Sequence, residues 1–212
     1  LHFWGTIMDY SIVSIAGWVG SIAFALSGYL AGARKQLDAM GIFIVAILTA
    51  NGGGAVRDVL IGKTPQVLQS NTPFLLVSAV VLAAWLLKLH RHTQLERHKL
   101  FVLSDAVGLV AFALTGASAG IAAGLPVFGV MALAFITASG GGMLRDALLR
   151  DMPAILSSDF YGTVALALAA ALYGLHYFGQ MSELNTALLF ISALILRIIA
   201  YLRGWQLPRL KM

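Results

Sequence analysis

No cysteine occurs in the 212 residues, which excludes disulfides and thiol catalysis. Charge is almost as scarce. Only 11% of residues are Asp, Glu, Lys or Arg, against about 25% in a typical soluble domain, so a water-facing surface cannot be covered. Acidic residues are the rarer sign, nine against fourteen Lys and Arg, for a net charge of +5. In a soluble chain that excess would suggest nucleic acid. Here the basic residues stand between apolar stretches, so membrane orientation accounts for them and no nucleic-acid partner is expected. The opening stretch LHFWGTIMDY lacks the positive flank of a signal peptide. Also missing are a Ser/His/Asp set, a metal-ligand cluster and a phosphate loop, so neither an enzyme nor a cofactor is expected. His90, His92 and His98 share a basic loop without a spacing that specifies metal geometry.

What the chain has is apolar sequence. Hydrophobic residues make up 59% and mean hydropathy is +0.87. A helix needs about 20 apolar residues to cross the hydrocarbon core. Seven stretches qualify, near 11–31, 40–60, 72–90, 101–121, 125–147, 159–178 and 185–203. The expected fold is an all-α integral membrane protein in the lipid bilayer. Alternating the spans puts Arg34, Lys35, Lys88, Arg91, Arg97, Lys99, Arg150, Arg203, Arg209 and Lys211 on one side and Lys63 alone on the other. Ten against one places the N-terminus outside and the C-terminus in the cytoplasm. Trp4, Trp85, Tyr201 and Trp205 fall near span ends, as interfacial aromatics do, and Trp18 does not.

The chain also repeats itself. Residues 20–68 align with 108–156 at a constant offset of 88, with 21 identities in 49 positions. TANGGGAVRD at 49–58 answers TASGGGMLRD at 137–146. Each copy holds three spans, an odd number, so the second is inverted relative to the first. The expected organisation is a three-helix repeat over 10–90, its inverted copy over 101–178, and a seventh helix over 185–203 packed outside.

Gly52, Gly53 and Gly54 fall about 16 Å into their span at 1.5 Å per residue, close to the midplane, as do Gly140, Gly141 and Gly142. Glycine is a poor helix former. A triple glycine either lets helices approach closely or breaks the helix beside a water-filled path. The duplicated, inverted placement favours the break. Thr49, Asn51, Thr137 and Ser139 stand at the same depth, and Ser27 matches Thr115. Their hydroxyls, with freed carbonyls, suit a partly dehydrated K⁺ or Na⁺ near Gly140–Gly142. Spans 1, 2, 4 and 5 are expected to line the path, spans 3 and 6 to stand outside it.

Arg57–Asp58 and Arg145–Asp146 lie at opposite mouths. They either form structural ion pairs, across the repeats or at broken backbone, or charge and gate the path. Asp105 is read first as a helix-start charge and otherwise as a mouth residue. Arg197 is read as snorkelling toward the cytoplasm.

Two three-span units, a seventh span and GGGxxRD in spans 2 and 5 resemble the prokaryotic branch of the trimeric intracellular cation (TRIC) channel family, over about residues 10–203. The resemblance implies a homotrimer in a prokaryotic inner membrane. Each protomer would carry its own pore for monovalent cations, chiefly K⁺. That pore would be kinked at Gly52–Gly54 and Gly140–Gly142, with Arg57, Asp58, Arg145 and Asp146 beside the kinks. Animal members carry a lysine signature in span 2, where this chain has AVRD. The residues alone leave a second possibility open, a carrier for a small polar solute such as an amino acid, since broken helices in inverted repeats also build carriers.

Overall fold

The computed structural model describes residues 12–91, 94–157 and 160–205. Trp4, His92, Arg209 and Lys211 lie outside the described residues. The helices are α1 Ile12–Arg34, α2 Ala39–Leu60, α3 Gln66–Gln69, α4 Thr72–Leu86, α5 Gln94–Ala122, α6 Val127–Leu148, α7 Ala154–Ser157, α8 Tyr161–Tyr177 and α9 Glu183–Leu202. A short 3₁₀ turn covers Leu89–Arg91. Each of the seven expected spans coincides with a helix. By length and apolar composition, five can cross a membrane: α1, α2, α5 from His98, α6 and α9. The apolar α4 has 15 residues and α8 has 17.

Local chemistry sets the ends. Asp38 caps α2 by accepting the Gly41 amide at 2.7 Å, and Ser182 caps α9 by accepting the Asn185 amide at 3.1 Å. Gly62 and Arg150, 88 residues apart, leave α2 and α6 in the left-handed region at φ 71° and 55°. One boundary differs from expectation. The segment QLERHKL extends α5 backwards to Gln94, because Gln, Leu, Glu, Arg and Lys all favour helix and polarity does not stop a helix beyond the bilayer.

The offset of 88 holds in three dimensions. It separates α2 from α6 at both ends, and α3 from α7 at both ends. The helices α1, α2, α5 and α6 pack most closely on one another. In turn α4 lies on α1 and α2, α8 on α5 and α6, and α9 on α8 and α5. Mates touch across a two-fold relation. Phe24 stacks on Phe112 with centroids 5.2 Å apart. Phe24 lies over Gly108, while Phe112 lies beside Gly20. Since Gly17 faces Thr115, Gly20 faces Ala111 and Gly108 faces Phe24, α1 and α5 run in opposite directions. The same holds for α2 and α6, where Gly53 meets Thr137 and Gly141 meets Thr49.

One latch ties the positively charged face together. Asp151, after α6, accepts Lys35 Nζ at 2.6 Å and pairs with Arg34. The Lys35 hydrogen bond holds the Asp151 carboxyl below its ordinary value, burial opposing it and Arg34 adding to it. A lowered carboxylate pKa stabilises the fold above the unfolded value and loses that contribution as pH falls through the folded one. Asp151→Asn is therefore expected to lower the melting midpoint of the detergent-solubilised protein slightly at neutral pH, by about 0–1 kcal/mol for an exposed pair. The difference from wild type should vanish in acid. A gap that persists in acid would mean the latch acts through packing instead.

Candidate functional site

Both glycine triplets sit where α2 crosses α6, and both helices continue unbroken through them. This corrects the expectation of freed carbonyls: the glycines serve close approach. A Cβ on Gly53 would run into the Thr137 carbonyl, and one on Gly141 into the Thr49 carbonyl. Gly140 faces the Gly53 backbone and Gly52 faces Leu144. Gly54 and Gly142 point elsewhere, toward the guanidinium groups of Arg57 and Arg145. The hydroxyls at this depth bond to their own helices. Thr49 donates to Val45, Thr137 to Leu133 and Ser139 to Phe135, each at 2.6 Å. Asn51 donates to Ile47 at 3.0 Å and Thr115 to Phe112 at 3.1 Å. Such back-bonding satisfies a buried hydroxyl inside a helix.

The two RD pairs do not reach across to each other's aspartates. Each arginine is held by the aspartate next to it. Arg57 donates from Nε and Nη2 to Asp58 Oδ1 at 2.9 and 2.7 Å, and Arg145 from Nε to Asp146 Oδ1 at 2.7 Å. The second carboxylate oxygen reaches eight residues on. Asp58 accepts the Gln66 amide at 3.0 Å and Asp146 the Ala154 amide at 3.1 Å. Each aspartate thus fixes both its arginine and the start of a short helix, α3 or α7.

Beyond this shared frame the mates part. Arg145 is wholly buried. Its Nη1 donates to Asp105 Oδ1 and to Ser27 Oγ, both at 2.6 Å, and Phe101 lies 4.7 Å from its guanidinium. Asp105 is therefore a buried partner of Arg145 eleven positions into α5, and not a helix-start charge. Arg197 does not snorkel either. It is buried with its guanidinium over the Tyr161 ring at 4.9 Å. Around Arg57 the structure is open. Arg57, Asp58, Asn51, Gly54 and Thr115 line a cavity of about 260 Å³ together with Gly17, Trp18, Ser21 and Gln66. The mates of that lining, among them Ser139, Gly142, Asp146 and Tyr161, close on a space that holds no water-sized volume. On the same side as Arg145, a separate cavity of about 440 Å³ is lined by Leu30, Arg34, Gln36, His98 and Phe101. Phe101 joins its wall to the Arg145 guanidinium, which lies over the ring.

The sequence reading missed Gly17, Trp18, Ser21, Phe101 and Tyr161. The signal was present at the same offset: Gly17 is the mate of Asp105, and Pro73 the mate of Tyr161. Among the described residues, no three His, Asp or Glu side chains gather as a metal site.

Apolar helices folded about a two-fold relation, with an open cavity on one side and its collapsed mate on the other, define a multi-pass membrane protein. The family model described as glycine transporter matches residues 14–91 and 102–177, and the chain belongs to that family. It is 34% identical over 204 residues to the UPF0126 membrane protein YvgT of Bacillus subtilis, covering 95% of this chain and 96% of the relative. Its fold is shared with solved TRIC cation channels. A structure described for conductance through TRIC cation channels aligns at a TM-score of 0.83 and 32% identity, over 95% of this chain and 98% of that one. The TRIC orthologue from Rhodobacter sphaeroides aligns at 0.85 and 31%, over 92% and 99%.

Proposed function

We propose that this protein is a channel for monovalent cations, chiefly K⁺, with one path in each protomer of a homotrimer. The chain crosses a prokaryotic inner membrane seven times, as two inverted three-helix repeats and a seventh helix, with its N-terminus outside and its C-terminus in the cytoplasm. One observation carries the reading. In a fold shared with cation channels, a cavity among α1, α2, α4 and α5 opens beside Arg57 and Asp58, and a second lies toward the opposite ends of α1 and α5. Asn51, Gly54 and Thr115 line the outer end, beside Arg57 and Asp58. Thr49, Thr137, Ser139 and Ser27 lie deeper, and their hydroxyl oxygens, which keep lone pairs while donating, meet an ion where α2 and α6 part. In the closed arrangement, Phe101 and the Arg145–Asp105 pair block the inner end.

The test is reconstitution of purified protein in a planar bilayer under a KCl gradient. Discrete current steps reversing near the K⁺ potential are expected. Phe101→Ala is expected to raise the open fraction several-fold by removing the ring that covers Arg145. Folded, inserted protein that passes no current would end the channel reading.

A second reading is a carrier for a small amino acid. The family description favours it, as does a cavity open to one side only. Saturable counterflow of glycine without current steps would select the carrier over the channel.

A further inference from the structure

The two arginines occupy two-fold-related positions, and one displays what the other lacks. Arg145 has three kinds of partner: the neighbouring Asp146, a carboxylate from Asp105 on α5, and a hydroxyl from Ser27 on α1. Applied to Arg57, the offset of 88 turns these partners into Asp58, Gly17 and Thr115. Asp58 is in place and Thr115 lines the cavity. At Gly17 the carboxylate is missing. Arg57 Nη1, the mate of the nitrogen that binds Asp105, has no hydrogen-bond partner among the described residues. Arg57 and Gly17 both line the 260 Å³ cavity, and a Cβ built on Gly17 would meet only the Thr115 methyl at 3.7 Å.

We propose that this cavity binds a small carboxylate, one oxygen against Arg57 Nη1 and the other against the Thr115 hydroxyl once that hydroxyl turns from the Phe112 carbonyl, in the position where Asp105 stands beside Arg145. Asp58 accepts from Arg57 Nε and Nη2, which leaves the third nitrogen of this cavity-lining side chain unclaimed. A guanidinium recognises a carboxylate through charge-assisted hydrogen bonds, roughly twice as strong as neutral ones. Asp58 does not compete as an acceptor for Nη1, since one of its oxygens accepts from Arg57 Nε and Nη2 and the other from the Gln66 amide. A volume of about 260 Å³ accommodates acetate or glycine with room for water beside it. Trp18, half exposed on the cavity wall, supplies an apolar side. The site goes beyond either reading of permeation and does not depend on them: in a channel its occupant would sit in the outer vestibule, and in a carrier it would be cargo.

The test is calorimetric titration of the solubilised wild-type protein with sodium acetate and with glycine, using methylammonium chloride as the cationic control. Saturable binding of acetate and glycine, without binding of methylammonium, is expected. Gly17→Asp supplies the carboxylate from the chain itself. It is expected to weaken acetate binding at least about tenfold, the loss of one charge-assisted contact, while leaving the melting midpoint at or above the wild-type value. Arg57→Gln is expected to abolish binding. Folded wild-type protein that takes up neither acetate nor glycine would overturn the proposal, as would a Gly17→Asp variant that binds acetate like wild type. Currents recorded from the same preparation separate the outcomes. Currents without carboxylate binding refute the site and leave the channel standing, whereas binding without currents does the reverse.

Discussion

Asp105→Ala is expected to destabilise the protein by about 3–5 kcal/mol, the range for stripping one partner from a buried ion pair. The cost arises on the arginine, not on the aspartate removed. Arg145 is fully buried and shares Asp105 and Asp146 as its carboxylates. Without Asp105, the Nη1 edge keeps only Ser27, while Nη2 already lacks a partner. Asp105→Asn keeps the size and an acceptor, so it should fall between alanine and wild type. Combining Asp105→Leu with Arg145→Met removes both charges and should recover much of the loss, because well-packed apolar replacements of a buried pair are often neutral or stabilising. Thermal unfolding followed by tryptophan fluorescence reads all three. If alanine alone leaves the midpoint unchanged, water reaches Arg145 and the inner end is not sealed.

The second large effect divides residues that look identical in the sequence. Gly53→Ala and Gly141→Ala each drive a methyl into a backbone carbonyl of the crossing helix, and a carbonyl cannot rotate aside as a side chain can. Overpacking of this kind costs about 1–3 kcal/mol, and the helices must separate to relieve it. Gly54→Ala meets only Arg57 Nη2 at 3.8 Å. It should be tolerated or gain up to about 1 kcal/mol of helix propensity. Melting midpoints of the single variants, with currents where the protein inserts, give the comparison. Equal damage at 53 and 54 would show that the triplet acts through backbone flexibility, against the close-contact account.

The helices were legible because apolar runs of spanning length are hard to mistake, and the repeat because GGGxxRD recurs in register. The four central helices followed from the same signal. Side-chain partners were another matter. Asp105 looked like the start of a span because the polar QLERHKL ahead of it read as a loop, and once that segment is helical Asp105 lies deep in α5. Arg197 looked free to reach water until Tyr161 was placed beneath it. The glycine triplets were ambiguous in principle, since the composition that lets a helix break also lets two helices touch. The most informative positions were the mismatches. A repeat is found through its identities, so Gly17 opposite Asp105 counted only as a failed match, although it separates an open cavity from a closed one.

That single unlike pair has an electrical consequence. Two perfectly equivalent halves related by a two-fold in the membrane plane would present the same barrier from either side, and current would depend only on the size of the driving force. Here one end is a cavity of about 260 Å³ with an arginine in its wall. The other carries a larger cavity, of about 440 Å³, that ends at an aromatic ring over a neutralised arginine. On the channel reading proposed above, ends so different make the current rectify, ions passing more readily one way than the other, and the sense of that rectification reports which way the molecule is inserted.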